Sequence, residues 1–235
     1  MILFSSTGNR FRKRTGLSGK WQYSTGRKNM NDVYEKTYQY YLSQFNSIDH
    51  KSLEAKLGVY LVNNDIIVPL FKRPYQISAE GVTGPDGRRP ALYISVLLFK
   101  YLYMCPDSRP NNRQWASYKD LRDAGPLSTY FANDIERPIA AHFSGKQKEL
   151  ITTGKRLGGY PADLESAYDL ALRFDALPQL PLLLLFNDAD DEFPSACSLL
   201  FEACAEKYLD PECLAMVCGY LVDGLLKAGE STDAV

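Results

Sequence analysis

Residues 177–220 read LPQLPLLLLFNDADDEFPSACSLLFEACAEKYLDPECLAMVCGY, and this stretch decides the fold. Leu177-Pro178 and Leu180-Pro181 hold the backbone extended, because a residue preceding proline avoids the helical region. Residues 182–186 then read as a strand apolar on both faces. Five residues between Pro181 and Asn187 are too few for a buried helix. An acid loop follows, and Pro194 suits the first turn of a helix, where its missing N–H costs nothing. In that helix Cys197, Phe201, Cys204 and Tyr208 share one stripe. Asp210-Pro211-Glu212 opens the last helix, with Asp210 as cap and an acid in the first turn. Leu214, Val217, Cys218, Leu221 and Leu225 are its buried face.

Working back from this stretch, residues 162–174 read as a helix that keeps Leu164, Tyr168, Ala171 and Leu172 together. Gly158-Gly159 closes an earlier helix over 146–157 in the left-handed conformation that glycine permits. Short helices are expected at 127–131 and 138–143, and an extended piece carries Trp115, Tyr118 and Leu121. Residues 91–104 are apolar almost all round, the mark of a buried helix. Two β-rich runs, 58–61 and 66–71, flank Asn63-Asn64-Asp65, whose tolerance of positive φ suits a hairpin. Pro69 inside the second run puts that strand at a sheet edge or ends its ladder. Residues 75–78 add a strand, and Gly84-Pro85-Asp86-Gly87 reads as a hairpin tip. Arg88-Arg89 beside those glycines resembles an anion cradle, but no Lys-Ser/Thr completes a phosphate loop. Upstream, Asn31 or Asp32 caps a helix whose Tyr34, Tyr38, Tyr41 and Phe45 form a packing stripe. The fold class that results is α+β: a small mixed or antiparallel sheet with several packed helices, in a single domain over residues 30–235.

The chain has 235 residues, enough for a sizeable core without metals or disulfides. Residues 1–29 carry seven of its 27 Lys and Arg and none of its 28 acids, and read as a basic flexible arm. Nucleic acid is an expected partner only through that arm, since such binding is mainly electrostatic. No apolar run reaches the roughly 18–20 residues of a membrane helix, so no membrane partner is expected. The start MILFSS lacks a secretory pattern. Five scattered cysteines fit reduced thiols, and the expected location is the cytoplasm.

Three chemistries compete for the central stretch. Asn187, Asp188, Asp190, Asp191 and Glu192 offer oxygen ligands to a divalent cation at a strand end. The calcium-loop pattern fails, however, with Phe193 where its glycine belongs and Leu199 where its glutamate belongs. Alternatively, the same acids solvate a loop and complement a helix N-terminus. Cys213 stands in a helix's first turn, where a thiolate gains stability, and is the candidate reactive thiol. The cysteine spacings lack the close pairs of iron–sulfur and zinc sites, so no cluster is expected. With only His50 and His142, no nucleophile–base set is legible and the catalytic residues stay unassigned.

NDADDEFP, SLLFE and YLDPECLA, with the Gly158-Gly159 turn and the Trp115 segment, resemble an uncharacterised prokaryotic domain-of-unknown-function family, number 3786, over residues 30–228. The resemblance implies an anaerobic setting and transfers no activity. Relatives with a cysteine-rich iron–sulfur module differ from this chain, in which only Cys105 precedes Cys197. The expected role is binding a small ligand or a protein partner, in anaerobic redox or cofactor metabolism. The alternative is a metal-dependent enzyme built on loop 187–192. Carboxylates converging in a pocket would favour the enzyme, and carboxylates splayed into solvent the binding module.

Overall fold

The computed structural model describes residues 27–162 and 168–230. The basic arm therefore lies mostly outside the described residues. Its last residues already belong to helix α1 (Arg27–Gln44), which begins ahead of the expected cap at Asn31 or Asp32. The aromatic stripe packs as expected, against helix α3 (Leu92–Tyr103). Tyr38 meets Phe99 edge-on at 5.7 Å and Tyr41 stacks on Tyr103 at 4.8 Å. Between them, α2 (His50–Leu57) is capped by the Asp49 carboxylate and closed by Gly58 at φ 71°.

A four-stranded antiparallel meander follows: β1 (Tyr60–Val62), β2 (Asp65–Leu70), β3 (Arg73–Ser78) and β4 (Gly81–Thr83). Asn63 and Asn64 take φ 50° and 78° at the first turn, as their side chains allow. Pro69 does not put β2 at the edge, because β2 lies between β1 and β3. Its rung faces Pro74 on β3, while β1 stops short of it at Tyr60↔Ile67, so a missing N–H costs no ladder bond on that side. Gly84–Gly87 turns, but it leads from β4 toward α3 and is no hairpin tip.

The second sheet is antiparallel in the order β5-β9-β8-β7-β6. It comprises β5 (Trp115–Ser117), β6 (Tyr160–Pro161), β7 (Leu170–Leu177), β8 (Leu180–Asn187) and β9 (Ala196–Glu202). The apolar run is its middle strand, buried from Leu180 through Phe186. Two expected helices are strands. Within 162–174, residues 163–167 lie outside those described, and from Leu170 the chain is β7. After Pro194 the chain forms β9, in which Cys197, Leu199 and Phe201 point inward opposite Phe186, Leu184 and Leu182. Cys197 and Phe201 are four apart, a spacing that periods of 2 and 3.6 both satisfy. Cys204 lies in a 3₁₀ turn beyond the strand, Ala203–Lys207, which Tyr208 follows.

Helices cover the inner face of this sheet. α4 (Gly125–Tyr130), a π-helical turn (Phe131–Glu136) and α5 (Arg137–Phe143) run on continuously, followed by α6 (Gln147–Arg156). α7 (Pro211–Glu230) lies across α5, α6 and α3. It starts as expected, with the Asp210 carboxylate accepting the Cys213 N–H at 2.9 Å. The two sheets meet where the Phe71 N–H donates to the Ala176 carbonyl at 2.9 Å, and one continuous buried cluster takes residues from both. Among the described residues the architecture is mixed α+β with two antiparallel sheets and no closed barrel.

Candidate functional site

The acid loop joins β8 to β9, and backbone N–H groups of the loop and of two neighbouring segments engage one oxygen each of Asn187, Asp188 and Asp190. Asp188 Oδ1 accepts from Gly145 N at 2.7 Å and Ala189 N at 2.8 Å. Asp190 Oδ1 accepts from Glu192 N at 2.8 Å and Phe193 N at 2.6 Å. Asn187 Oδ1 accepts from Asp169 N at 3.2 Å. Asp190, Asp191 and Glu192 are exposed, and Phe193 beside them is 66% exposed. Among the described residues no three His, Cys, Asp or Glu side chains gather as a metal would require. The strand placement read from the sequence holds, but these carboxylates close turns and splay outward. The helix N-terminus they were to complement is absent too, since β9 follows the loop.

Cys213 differs from expectation in its surroundings. It sits in the first turn of α7, yet its side chain is buried. Burial pushes its thiol well above the ordinary value, the Asp210 charge adds to that, and nearby Lys100 only opposes it. Desolvation outweighs the helix end here, which removes the basis for a reactive thiolate. Cys197, Cys204 and Cys218 are buried as packing residues.

A cleft that the sequence reading missed opens between β3, the segment from Gly84 to Ala91, and α7, with a volume of about 340 Å³. That size falls at the small-metabolite end of ligand pockets. α7 contributes Tyr220, Asp223, Gly224 and Lys227, spaced i, i+3, i+4 and i+7 on one helix face. β3 contributes Arg73 and Tyr75, two apart and therefore on one side of the strand. Those two spacings were the available signal.

The polar wall is built by a strained turn. β2 and β3 are joined by Phe71 and Lys72, both left-handed at φ 48° and 63°, where Asn-Gly is the favoured pair. Such a backbone persists only where its surroundings fix it. Here Phe71 is buried, tied to Ala176 and stacked on Tyr220 at 5.4 Å with rings 10° apart. The Tyr220 hydroxyl accepts from Arg73 Nη1 at 3.3 Å and lies 3.4 Å from the Tyr75 hydroxyl. Burial, followed by the Tyr220 hydrogen bond, pushes the Tyr75 phenol far up. The Tyr93 phenol is pushed up to about 12 by burial and then by Asp223. Both are therefore neutral hydroxyls at ordinary pH.

Most other charges around the cleft are matched, the exception among the described residues being Asp86, whose Oδ1 accepts only the Arg88 backbone N–H. Arg89 pairs with Glu35 at 3.2 Å and lies over the Tyr38 ring, and Lys227 pairs with Asp223 at 3.7 Å. Among the described residues Arg73 has no carboxylate within ion-pair distance.

The strain is open to direct measurement. Lys72→Gly is expected to be more stable than Lys72→Ala by about 1 kcal/mol, because only glycine relieves the left-handed backbone. The comparison cancels loss of the lysine stem, which packs near Gly158 and places Nζ 5.7 Å from the centre of the Tyr160 ring. Urea unfolding checks it, and equal midpoints would mean that the turn stores no strain.

These features define an α+β domain with a preorganised polar cleft. The chain belongs to the domain-of-unknown-function family DUF3786, whose model matches residues 49–223. No curated protein and no solved structure matches it. Among the described residues no helix is long and apolar enough to cross a membrane.

Proposed function

We propose that the domain is a binding module for a small metabolite of redox or cofactor metabolism, and that its ligand occupies the cleft between β3 and α7. The observation that carries this reading is the hydrogen-bonded group of Arg73, Tyr220 and Tyr75 at one wall, held in place before any ligand arrives by the Phe71 stack. Preorganised polar groups in a concave site raise affinity by lowering the ordering cost of binding. The test is thermal unfolding of the whole protein against a panel of small metabolites. A true ligand at a hundredfold its dissociation constant stabilises the fold by about 2.7 kcal/mol. Ala91→Trp, an exposed position at the cleft's rim, is expected to abolish that gain while the ligand-free protein unfolds as before. Equal stabilisation of both proteins would place the ligand elsewhere.

A second reading, binding of a protein partner, draws on a separate surface. The outer side of the first sheet has a groove lined by Tyr60, Ile67, Pro69, Pro74 and Pro178 together with the charged Lys72 and Asp175, and Tyr60 is 61% exposed on edge strand β1. Exposed apolar grooves of this kind mark contact sites. Loss of a co-purifying partner on Tyr60→Asp, with the cleft's ligand unaffected, would favour it.

A further inference from the structure

We infer that the cleft recognises an oxyanion, a carboxylate or phosphoryl group on the ligand, held by Arg73 and the hydroxyls of Tyr220 and Tyr93. The inference rests on the cleft being the ligand site and adds the chemical class of the ligand.

Hydrogen-bond accounting comes first. Tyr75 and Tyr220 share one hydrogen bond in which either oxygen donates. That bond consumes one of two O–H groups, so one proton is left over whichever way it runs. Arg73 donates to the Tyr220 oxygen as well, so the leftover O–H belongs to a pair already polarised by the guanidinium. The Tyr93 hydroxyl, also in the lining, makes no hydrogen bond among the described residues. A guanidinium carries five N–H donors and no acceptor, and one contact to Tyr220 leaves most of them available.

The lining also holds two carboxylates. Asp86 Oδ1 is engaged by the Arg88 N–H at 3.2 Å, and Asp223 is paired with Lys227. Arg73 remains the lining cation without a carboxylate of its own among the described residues. Arg73 and the hydroxyls beside it are complemented by a group that only accepts and carries negative charge, seated away from the Asp86 carboxylate. A neutral or cationic ligand would leave those donors unpaired, which is costly once water is displaced.

The experiment measures binding to the whole protein by calorimetry and thermal shift at constant ionic strength. The probes are inorganic phosphate, glycerol phosphate, acetate and succinate, with glycerol and ethanolamine as neutral and cationic counterparts. At least one oxyanion is expected to bind saturably, and the phosphate and carboxylate arms decide which class is held more tightly. Arg73→Gln, at an exposed position, should weaken that probe at least about tenfold, the scale of one charge-assisted contact. Tyr220→Phe keeps the ring stack on Phe71 and should weaken it several-fold, whereas Lys51→Gln on α2 should change nothing. Oxyanion binding that is equal in wild type and Arg73→Gln overturns the inference. Binding of glycerol or ethanolamine that Ala91→Trp removes, without any oxyanion binding, overturns the inference and leaves the cleft reading standing. If no probe of any class binds, both fall.

Discussion

Leu184→Ala is expected to destabilise the domain by about 2–5 kcal/mol, the range for deleting a buried leucine side chain and leaving its cavity. Leu184 is fully buried in the middle strand of the five-stranded sheet. It stands in a row of three leucines, with Leu172 on β7 and Leu199 on β9 as its neighbours across the ladder. Neither neighbour can collapse into the gap without moving a strand that pairs on both sides. The loss is a large share of the ~5–15 kcal/mol that holds a typical domain together. Tyr34→Ala is the contrast, since Tyr34 is half-buried and its hydroxyl donates to Glu212 at 3.0 Å near the surface. Urea midpoints for the two variants check the ordering. A Leu184→Ala protein that unfolds with or after Tyr34→Ala would remove β8 from the centre of the core.

The middle strand was legible because Pro181 and Asn187 bound an apolar run too short for any other element. The last helix was legible because Asp210-Pro211-Glu212 is local chemistry, complete in three residues. β9 was not, because its inward residues Cys197 and Phe201 recur at a spacing that strand and helix share. Only Leu199 between them breaks the tie, and its partner Leu184 is distant in sequence. The acid loop was found, but whether its oxygens face a ligand or their own backbone depends on Gly145 and Asp169, which come from other elements. The cleft was least legible of all. Arg73 and Tyr75 read as ordinary strand residues, and Tyr220 as one more residue of a helix. What joins them is the Phe71-Lys72 turn, whose left-handed backbone contradicts its own residue types. A local rule broken under tertiary constraint is the signal in this chain that leads to the cleft.

Alkaline pH should weaken the fold from the point at which the unfolded chain's thiols begin to ionise. Burial pushes the thiols of Cys197, Cys213 and Cys218 well above the ordinary value of 9.0, and the Glu136 charge adds to the effect at Cys197 and Cys218. A group whose folded value is raised gives stability that is complete below its unfolded value and is lost as pH rises toward the folded one. In the unfolded chain these thiols release protons near pH 9, while in the fold they keep them. Each then removes about 1.4 kcal/mol per pH unit. Together they should lower stability by about 3–4 kcal/mol between roughly pH 9 and 10. The same burial that denies Cys213 a reactive thiolate thus makes it a source of alkaline sensitivity. Urea unfolding under reducing conditions at about pH 8, 9 and 10 reads the slope. Cys213→Ala should make it shallower, because one of the raised thiols no longer titrates in the unfolded chain. A midpoint that stays level across that window, or a slope untouched by the substitution, would mean that these thiols reach water in the native state.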